Sequence, residues 1–428
     1  MCDLDQEVEI PQYFLCPISL QIMKDPVTTV TGITYDRENI DQWLKEAVDP
    51  VCPVTKQPLS CDSDLTPNHT LRRLIQAWCV VNARHGVERI PTPRAALTRT
   101  HIVKILRGLT VPRLQSAALD QLLAIATSDG LVNDRRVMAE SGVVKAMVSY
   151  IIKCSKETKT TSFLEKALRV VNAVWTPTST EVVKCVSENY ELLDSITSIL
   201  NKNSCFNNTT RNLAVIFMKD VVKVASSSLA EQLSPEFFEG VIKILRSRGE
   251  INEGDFAGPI KGALRILLEV CPHGRNRYKI IEANAIFELL ELELELNLAQ
   301  TEKKKITELI FCLLAQLCSC AEGRAQFMAH SGGIAVVSEK ILKVSPVVDD
   351  RAVHILALIS KCSATKEALQ EMLKVGAVYT LCIVLQADCA KYLKDKVREI
   401  LRVHSYVWNN SPCIQFNYVL TRYPLMQF

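Results

Sequence analysis

Cysteine and histidine are the residues in this chain best suited to chemistry, and a structural zinc site is the first chemistry to test. Between positions 10 and 85 stand Cys16, Cys52, Cys61, Cys79, His69 and His85, with Cys2 just outside. Structural zinc asks for ligand pairs about two to four residues apart. No such cysteine pair exists in that stretch, so the thiols read as buried structural groups and no metal is expected. Cys318-Ser319-Cys320 and Cys271-Pro272-His273 fall at the ends of helical patterns, where cysteine packs as a small apolar residue. The seven histidines are scattered, and none sits beside a cysteine or aspartate in a nucleophile arrangement. There is no Gly-rich phosphate loop. Lys303-Lys304-Lys305 is too short for a basic tract and reads as the solvated start of a helix. Neither a cofactor nor a nucleic-acid partner is expected.

The elements that must position these residues differ sharply between the two ends of the chain. Residues 10–85 hold seven of the seventeen prolines, at 11, 17, 26, 50, 53, 58 and 67, and are loop-rich. Val27 to Val30 and Ile33 to Tyr35, around Thr31-Gly32, predict a hairpin. Asp36 is placed to N-cap a helix carrying Ile40, Trp43, Leu44 and Ala47 on one face. After a second Pro-containing loop, Val51 to Leu59, Pro67-Asn68 starts a helix with Leu71, Leu74, Ile75 and Trp78 at the same spacing. Arg84 to Thr98 breaks the periodicity and reads as a linker.

Beyond it the chain repeats. Short breaks at residues 142, 189, 236, 284, 332 and 376, such as Ser141-Gly142-Val143 and Val375-Gly376-Ala377, recur at near-constant steps. Between them lie helical patterns at Phe163 to Trp175, Thr210 to Ala225, Ile260 to Val270, Ile306 to Cys318, Arg351 to Cys362 and Asp395 to Trp408. A period of about 40–47 residues with two or three helices matches the armadillo class of α-solenoid. About six stacked copies after an irregular first pair, around Thr98 to Thr127, would form one right-handed rod. Leu290 to Leu296 alternates Leu and Glu, a strand signal, and is read as helix because its neighbours are helical.

Composition agrees. The 428 residues are 48% hydrophobic and 23% charged, with only 15 glycines, which favours helices over tight-turned sheets. The longest uncharged apolar run, Leu309 to Ala321, falls short of the roughly 18 residues a membrane span needs. The acidic start, with Asp3, Asp5, Glu7 and Glu9, does not read as a signal peptide, so the 16 cysteines are expected reduced, in the cytoplasm with the nucleus as alternative. The net charge of +3 hides an asymmetry: residues 1–85 carry 12 acidic and 7 basic side chains, whereas the remainder is basic.

The N-terminal residues then carry a resemblance. Ile10-Pro11, Phe14-Leu15-Cys16-Pro17-Ile18-Ser19-Leu20, Ile22-Met23, Asp25-Pro26-Val27, Thr31-Gly32, Thr34-Tyr35-Asp36-Arg37, Ile40, Trp43-Leu44, Cys52-Pro53-Val54-Thr55, Leu65-Thr66-Pro67-Asn68 and Leu71-Arg72-Arg73-Leu74-Ile75 resemble a U-box almost position for position. A U-box followed by armadillo repeats resembles the plant U-box ubiquitin-protein ligases. The resemblance implies a mostly α chain: a small α+β U-box (10–85), metal-free and RING-like, a linker (86–97), an armadillo-type α-solenoid (98–410) and a tail (411–428).

It also implies transfer of ubiquitin from a conjugating enzyme to a protein substrate, marking it for degradation, with no nucleophile on this chain and a role in stress or defence signalling. By the same resemblance Ile18, Leu20, Trp43 and Pro53 form the conjugating-enzyme patch, and Lys56 stands where an Arg often bridges enzyme and ubiquitin. Asp25, Tyr35, Asp36, Arg37 and Asn68 are the polar network that replaces metal. The acidic module would suit a basic docking helix, and the solenoid would hold substrate; homo-oligomer formation is left open. Two rivals stand beside this reading: a non-catalytic armadillo scaffold or adaptor, and a ligase forming its own thioester at Cys413.

Overall fold

The computed structural model describes residues 10–46, 51–59, 65–83, 97–127, 132–156, 161–175, 180–202, 206–246, 257–296 and 299–408. Cys2, Cys61, His85, Cys413, the tail and nearly all of the expected linker lie outside them. Two units, Met1–Leu97 and Thr98–Phe428, each make their own internal contacts.

In the first unit the β-branched runs pair as a hairpin. β1 (Pro26–Thr28) runs antiparallel to β2 (Thr34–Asp36), with Val27 opposite Tyr35, and Gly32 turns the chain at φ +79°. β3 (Thr66–Pro67) pairs on the other edge of β1, giving the order β2-β1-β3. α1 (Arg37–Glu46) leaves β2 directly, sending Ile40 and Leu44 inward while Trp43 stays 38% exposed. α2 (His69–Val81) starts where Asn68 Oδ1 accepts from Leu71 N at 3.0 Å. Ile75 enters the core with Phe14, Met23, Val27 and Tyr35, but Leu74, expected on the same face, is 53% exposed. The apolar stripe of α2 is therefore narrower than its sequence suggested.

The second unit is helical throughout its described residues. A first pair, α3 (Arg99–Gly108) and α4 (Gln115–Thr127), precedes six triplets. These are α5 (Val132–Glu140), α6 (Val143–Lys156) and α7 (Thr161–Val174); α8 (Thr180–Ser187), α9 (Tyr190–Asn201) and α10 (Asn208–Val222); then α11 (Ser227–Glu231), α12 (Pro235–Arg246) and α13 (Ala257–Val270). They continue as α14 (Asn276–Glu282), α15 (Ala285–Glu295) and α16 (Gln300–Leu317); α17 (Ala321–Ala329), α18 (Gly333–Lys340) and α19 (Pro346–Cys362); and α20 (Lys366–Lys374), α21 (Ala377–Gln386) and α22 (Lys391–Val403), with α23 (Ser405–Trp408) last. The third helices α7, α10, α13, α16, α19 and α22 pack each on the next, and the second helices α6, α9, α12, α15, α18 and α21 form a parallel ladder. A single triplet leaves its apolar flanks open to water. Stacking closes them, and each fully buried Leu, Ile or Phe contributes about 1.5–3 kcal/mol.

The recurring breaks in the sequence are the corners between first and second helices. Gly142, Asn284 and Gly376 occupy them with φ of +81°, +65° and +76°, a left-handed conformation that stops one helix so that the next can start at an angle. At the α8–α9 corner Asn189 does a related job, its Oδ1 accepting from Leu192 N at 2.9 Å. The Leu/Glu alternation is helical because Glu293 within it, and Glu288 two residues before it, are buried with cations. Arg246 Nε donates to Glu288 Oε1 at 2.8 Å, and Lys340 Nζ lies 2.9 Å from Glu293 Oε1, which also accepts from Thr307 Oγ1. The pattern expected as one helix over Asp395 to Trp408 is broken between α22 and α23. There His404 turns inward, its Nε2 2.6 Å from Ser360 O.

Candidate functional site

Two loops of the first unit share one construction. Cys16-Pro17-Ile18-Ser19-Leu20-Gln21 and Cys52-Pro53-Val54-Thr55-Lys56-Gln57 repeat the same residue types except at the fifth position. In each, the cysteine N–H donates to the glutamine carbonyl at 2.8 Å, and the fifth residue donates back to the cysteine carbonyl, Leu20 at 2.8 Å and Lys56 at 2.9 Å. So tight a closure forces the fifth residue left-handed, with φ +56° at Leu20 and +59° at Lys56. That costs roughly 1–2 kcal/mol for a residue with a side chain. It also turns both side chains outward: Leu20 is 73% exposed and Lys56 is exposed.

β2 and α1 hold the two loops side by side. Adjacent residues of β2 reach one loop each: the Tyr35 hydroxyl lies 3.0 Å from Cys52 Sγ, and Asp36 N donates to Cys16 Sγ at 3.3 Å. One turn apart on α1, Asn39 Nδ2 donates to Ser19 Oγ at 3.0 Å in the first loop, and Trp43 Nε1 donates to Val51 O at 2.9 Å beside the second. Ile18 is partly buried against the core, Pro53 is half-buried, and Leu20, Trp43 and Val54 are exposed. The expected patch residues thus occupy two loops tied to one helix face. Ile18 both seals the core and shows an edge to solvent.

The thiols are structural acceptors. Burial pushes the Cys52 thiol up, but donors from Thr31 Oγ1, Thr55 N and the Tyr35 hydroxyl outweigh it and bring it down to about 6. Cys16 is likewise lowered, burial being outweighed by the N–H groups of Asp36, Ser19 and Ile18. Burial and then the Cys52 sulfur raise the Tyr35 hydroxyl, keeping it a donor. Each sulfur therefore gathers donors from separate segments through hydrogen bonds. Among the described residues no three His, Cys, Asp or Glu side chains group to hold a metal.

Charge completes the frame. Asp25 accepts from Arg37 Nε at 2.7 Å and from Arg72 Nη1 at 2.8 Å, joining β1 to both helices. Asp36, expected as the cap of α1, instead turns Oδ1 to the segment just before β1, accepting from Lys24 N at 2.9 Å and Asp25 N at 2.7 Å. An acceptor was needed more there than at the helix end, because those two N–H groups have no strand partner. Asn68 ties α2 to β1 through its own N–H to Pro26 O at 2.9 Å. Asp25, Asp36 and Arg37 thus form one polar cluster, while Tyr35 bonds Cys52 of the second loop and Asn68 bonds β1 and α2 separately. Sequence reading missed Arg72, Asn39, Thr31, Thr55 and Val54. The echo of Cys-Pro-x-Ser/Thr-x-Gln was the signal that could have found Val54 and Thr55.

Comparison with known proteins decides the family. The family described as "U-box domain" matches residues 10–84, and "Plant U-box protein ARM repeat region" matches residues 101–424. The chain is 40% identical to E3 ubiquitin-protein ligase PUB24 of Arabidopsis thaliana, over 96% of this chain and 95% of that protein. The corresponding figures for PUB23 of the same plant are 39%, 98% and 98%.

The chain belongs to the plant U-box ubiquitin ligases.

The first unit is therefore a U-box and the second an armadillo-repeat array, and the U-box ligase is a RING-type ubiquitin transferase. A purely non-catalytic scaffold no longer fits. Among the described helices, no single one is long and apolar enough to cross a membrane.

Proposed function

We propose that this ligase docks a ubiquitin-charged conjugating enzyme on the two U-box loops, with Ile18, Leu20, Trp43 and Pro53 as the apolar contact. Val54 extends the patch. The observation that supports this reading most is the pair of rigid loops, fixed by Tyr35 and Asp36 at their cysteines, that hold apolar side chains outward against a folded core's tendency to bury them. A preordered apolar patch loses little entropy on binding. Trp43 has a second task, since its indole N–H anchors Val51, so its removal would loosen the second loop as well as the contact.

Chemistry would then proceed as a proximity effect. The thioester belongs to the conjugating enzyme, and the U-box holds its ubiquitin near attack geometry while the armadillo array holds the protein to be modified and marked for degradation. Lys56, outward on the second loop, would bridge enzyme and ubiquitin as a point charge without the fork of an Arg. The acidic U-box would steer the encounter with a basic docking helix.

Purified protein with activating enzyme, conjugating enzyme, ubiquitin and ATP tests this. Self-ubiquitination is expected, strongly reduced by Ile18→Ala and Pro53→Ala and retained by Cys413→Ala. Full activity in the first two variants would remove the patch, and loss in the third would make the mechanism covalent.

A further inference from the structure

The array carries a cavity lined by two arginines. Arg277 from α14, Cys312, Ala315 and Gln316 from α16, Ser319 just beyond it, and Arg351 and His354 from α19 line a space of about 340 Å³, within the range typical of ligand pockets. α16 and α19 belong to the ladder of third helices, so the cavity opens between two successive repeats.

Its charges do not cancel. Among the described residues Arg277 forms no ion pair; its guanidinium hydrogen-bonds the buried Cys271 thiol, and its Nε is buried without an acceptor. The neighbouring carboxylate, Asp350, is shared, with Lys396 Nζ at 3.1 Å and Arg351 Nη1 at 3.6 Å. Asp350 thus serves Lys396 as well as Arg351, so the two lining guanidiniums have less than one carboxylate between them. Burial first, and then Lys396, lower the affinity of His354 for a proton, with Asp350 opposing and Arg351 adding to the effect. Gln316 lines the same cavity; its buried Oε1 meets no donor, so only its amide NH2 could serve an anion. The Ser319 hydroxyl already donates to Gln316 O at 2.6 Å and so contributes no free donor to the site. Two guanidinium forks lining one cavity, with a single shared carboxylate beside them, form a site that lacks an anion.

From this geometry we propose that the cavity receives a phosphorylated serine or threonine side chain of a protein lying along the array. A phosphomonoester carries about −1.5 to −2 charge at neutral pH, which suits the two guanidiniums better than the single charge of a carboxylate. Guanidinium groups present planar donor pairs suited to phosphate oxygens. The proposal rests on the reading that the array holds substrate, and makes that holding conditional on the substrate's phosphorylation.

The test uses the full-length protein and fluorescein-labelled peptide pools with one fixed phosphoserine among randomised flanks, compared with pools fixed as Ser, Asp or Glu. Anisotropy is expected to show the phosphoserine pool binding at least tenfold tighter than the other three, with inorganic phosphate competing. Arg351→Ala, at a side chain 45% exposed and so tolerant of change, and Arg277→Ala should each weaken that pool about tenfold and leave the Ser pool unchanged. Arg351→Lys should recover part of the loss. Equal binding of the phosphoserine and Ser pools, equal binding of the Asp pool, or an unaltered Kd in the Arg351→Ala protein would overturn the proposal. Self-ubiquitination of the same preparations separates the readings: intact self-ubiquitination without phosphate discrimination removes the cavity's role and leaves the ligase reading standing.

Discussion

Replacing Asp25 by Ala removes the carboxylate that holds Arg37 and Arg72 together, and the consequence can be worked from their surroundings. The Arg72 side chain is 11% exposed while Asp25 is 37% exposed, so the variant leaves a nearly buried guanidinium without its partner. Breaking a fully buried pair costs about 3–5 kcal/mol; screening at the half-open Asp25 end reduces the expectation to about 2–3 kcal/mol. For a module of this size that is a large share of its stability. Native-state hydrogen exchange of the full-length chain, followed by mass spectrometry, reads it directly. Amides of β1, α1 and α2 should lose protection by about that amount, while those of α10 to α22 stay unchanged. A chelator should leave both patterns as they were. Loss below about 0.5 kcal/mol, the level of an ordinary surface substitution, or equal loss in the array, would refute the claim that Asp25 is the module's electrostatic fastener.

Further expectations follow from other residues. Lys56→Arg restores a bidentate donor at an exposed position and should raise the rate of ubiquitin discharge several-fold; an unchanged rate would exclude Lys56 from the bridge. The Cys52 thiol, lowered to about 6 in the fold from an ordinary 9, loses its proton before the unfolded chain does. U-box stability should therefore rise between pH 6 and pH 9 by up to about 1.4 kcal/mol per pH unit and be lost again as pH falls through 6. Thr31→Val, lacking one donor to that sulfur, should flatten the rise, as measured by hydrogen exchange corrected for intrinsic rates; an equal slope would contradict the assignment. In the array, a Cβ on Gly323 would stand 2.0 Å from Leu317 O. Gly323→Ala should therefore cost about 3 kcal/mol or more and lower the helical melting temperature, and an unchanged melt would mean the α16–α17 corner gives way freely.

The array was legible in sequence because its punctuation is physical. A left-handed corner needs Gly or Asn, as at Gly142, Asn284 and Gly376, and stacking of equal units spaces those corners evenly. The Leu/Glu run of α15 misleads a periodicity argument because a glutamate there is normally counted as solvent-facing, whereas Glu293 is buried against Lys340 from the next repeat. No local rule reveals a partner 47 residues away. The same holds for Arg72, which looks like one basic residue on an amphipathic helix until the fold brings Asp25 to it. Sulfur acceptors leave no spacing signature at all: zinc imposes short ligand intervals, but Cys16 and Cys52 take donors from wherever the fold supplies them. Trp43 was assigned to the exposed patch, and its hydrogen bond to Val51 O shows that one residue serves both frame and surface.

The central claim is that ubiquitin passes straight from the conjugating enzyme, positioned by two U-box loops, without resting on this chain. Single-turnover discharge of a purified ubiquitin-loaded conjugating enzyme onto free lysine, resolved on non-reducing gels, tests it most directly. The full-length ligase should accelerate loss of the loaded enzyme, the Ile18→Ala protein should not, and no thiol-sensitive ubiquitin adduct of the ligase should form at any time point. An adduct that reducing agent removes and Cys413→Ala abolishes, or equal acceleration by the Ile18→Ala protein, would contradict it.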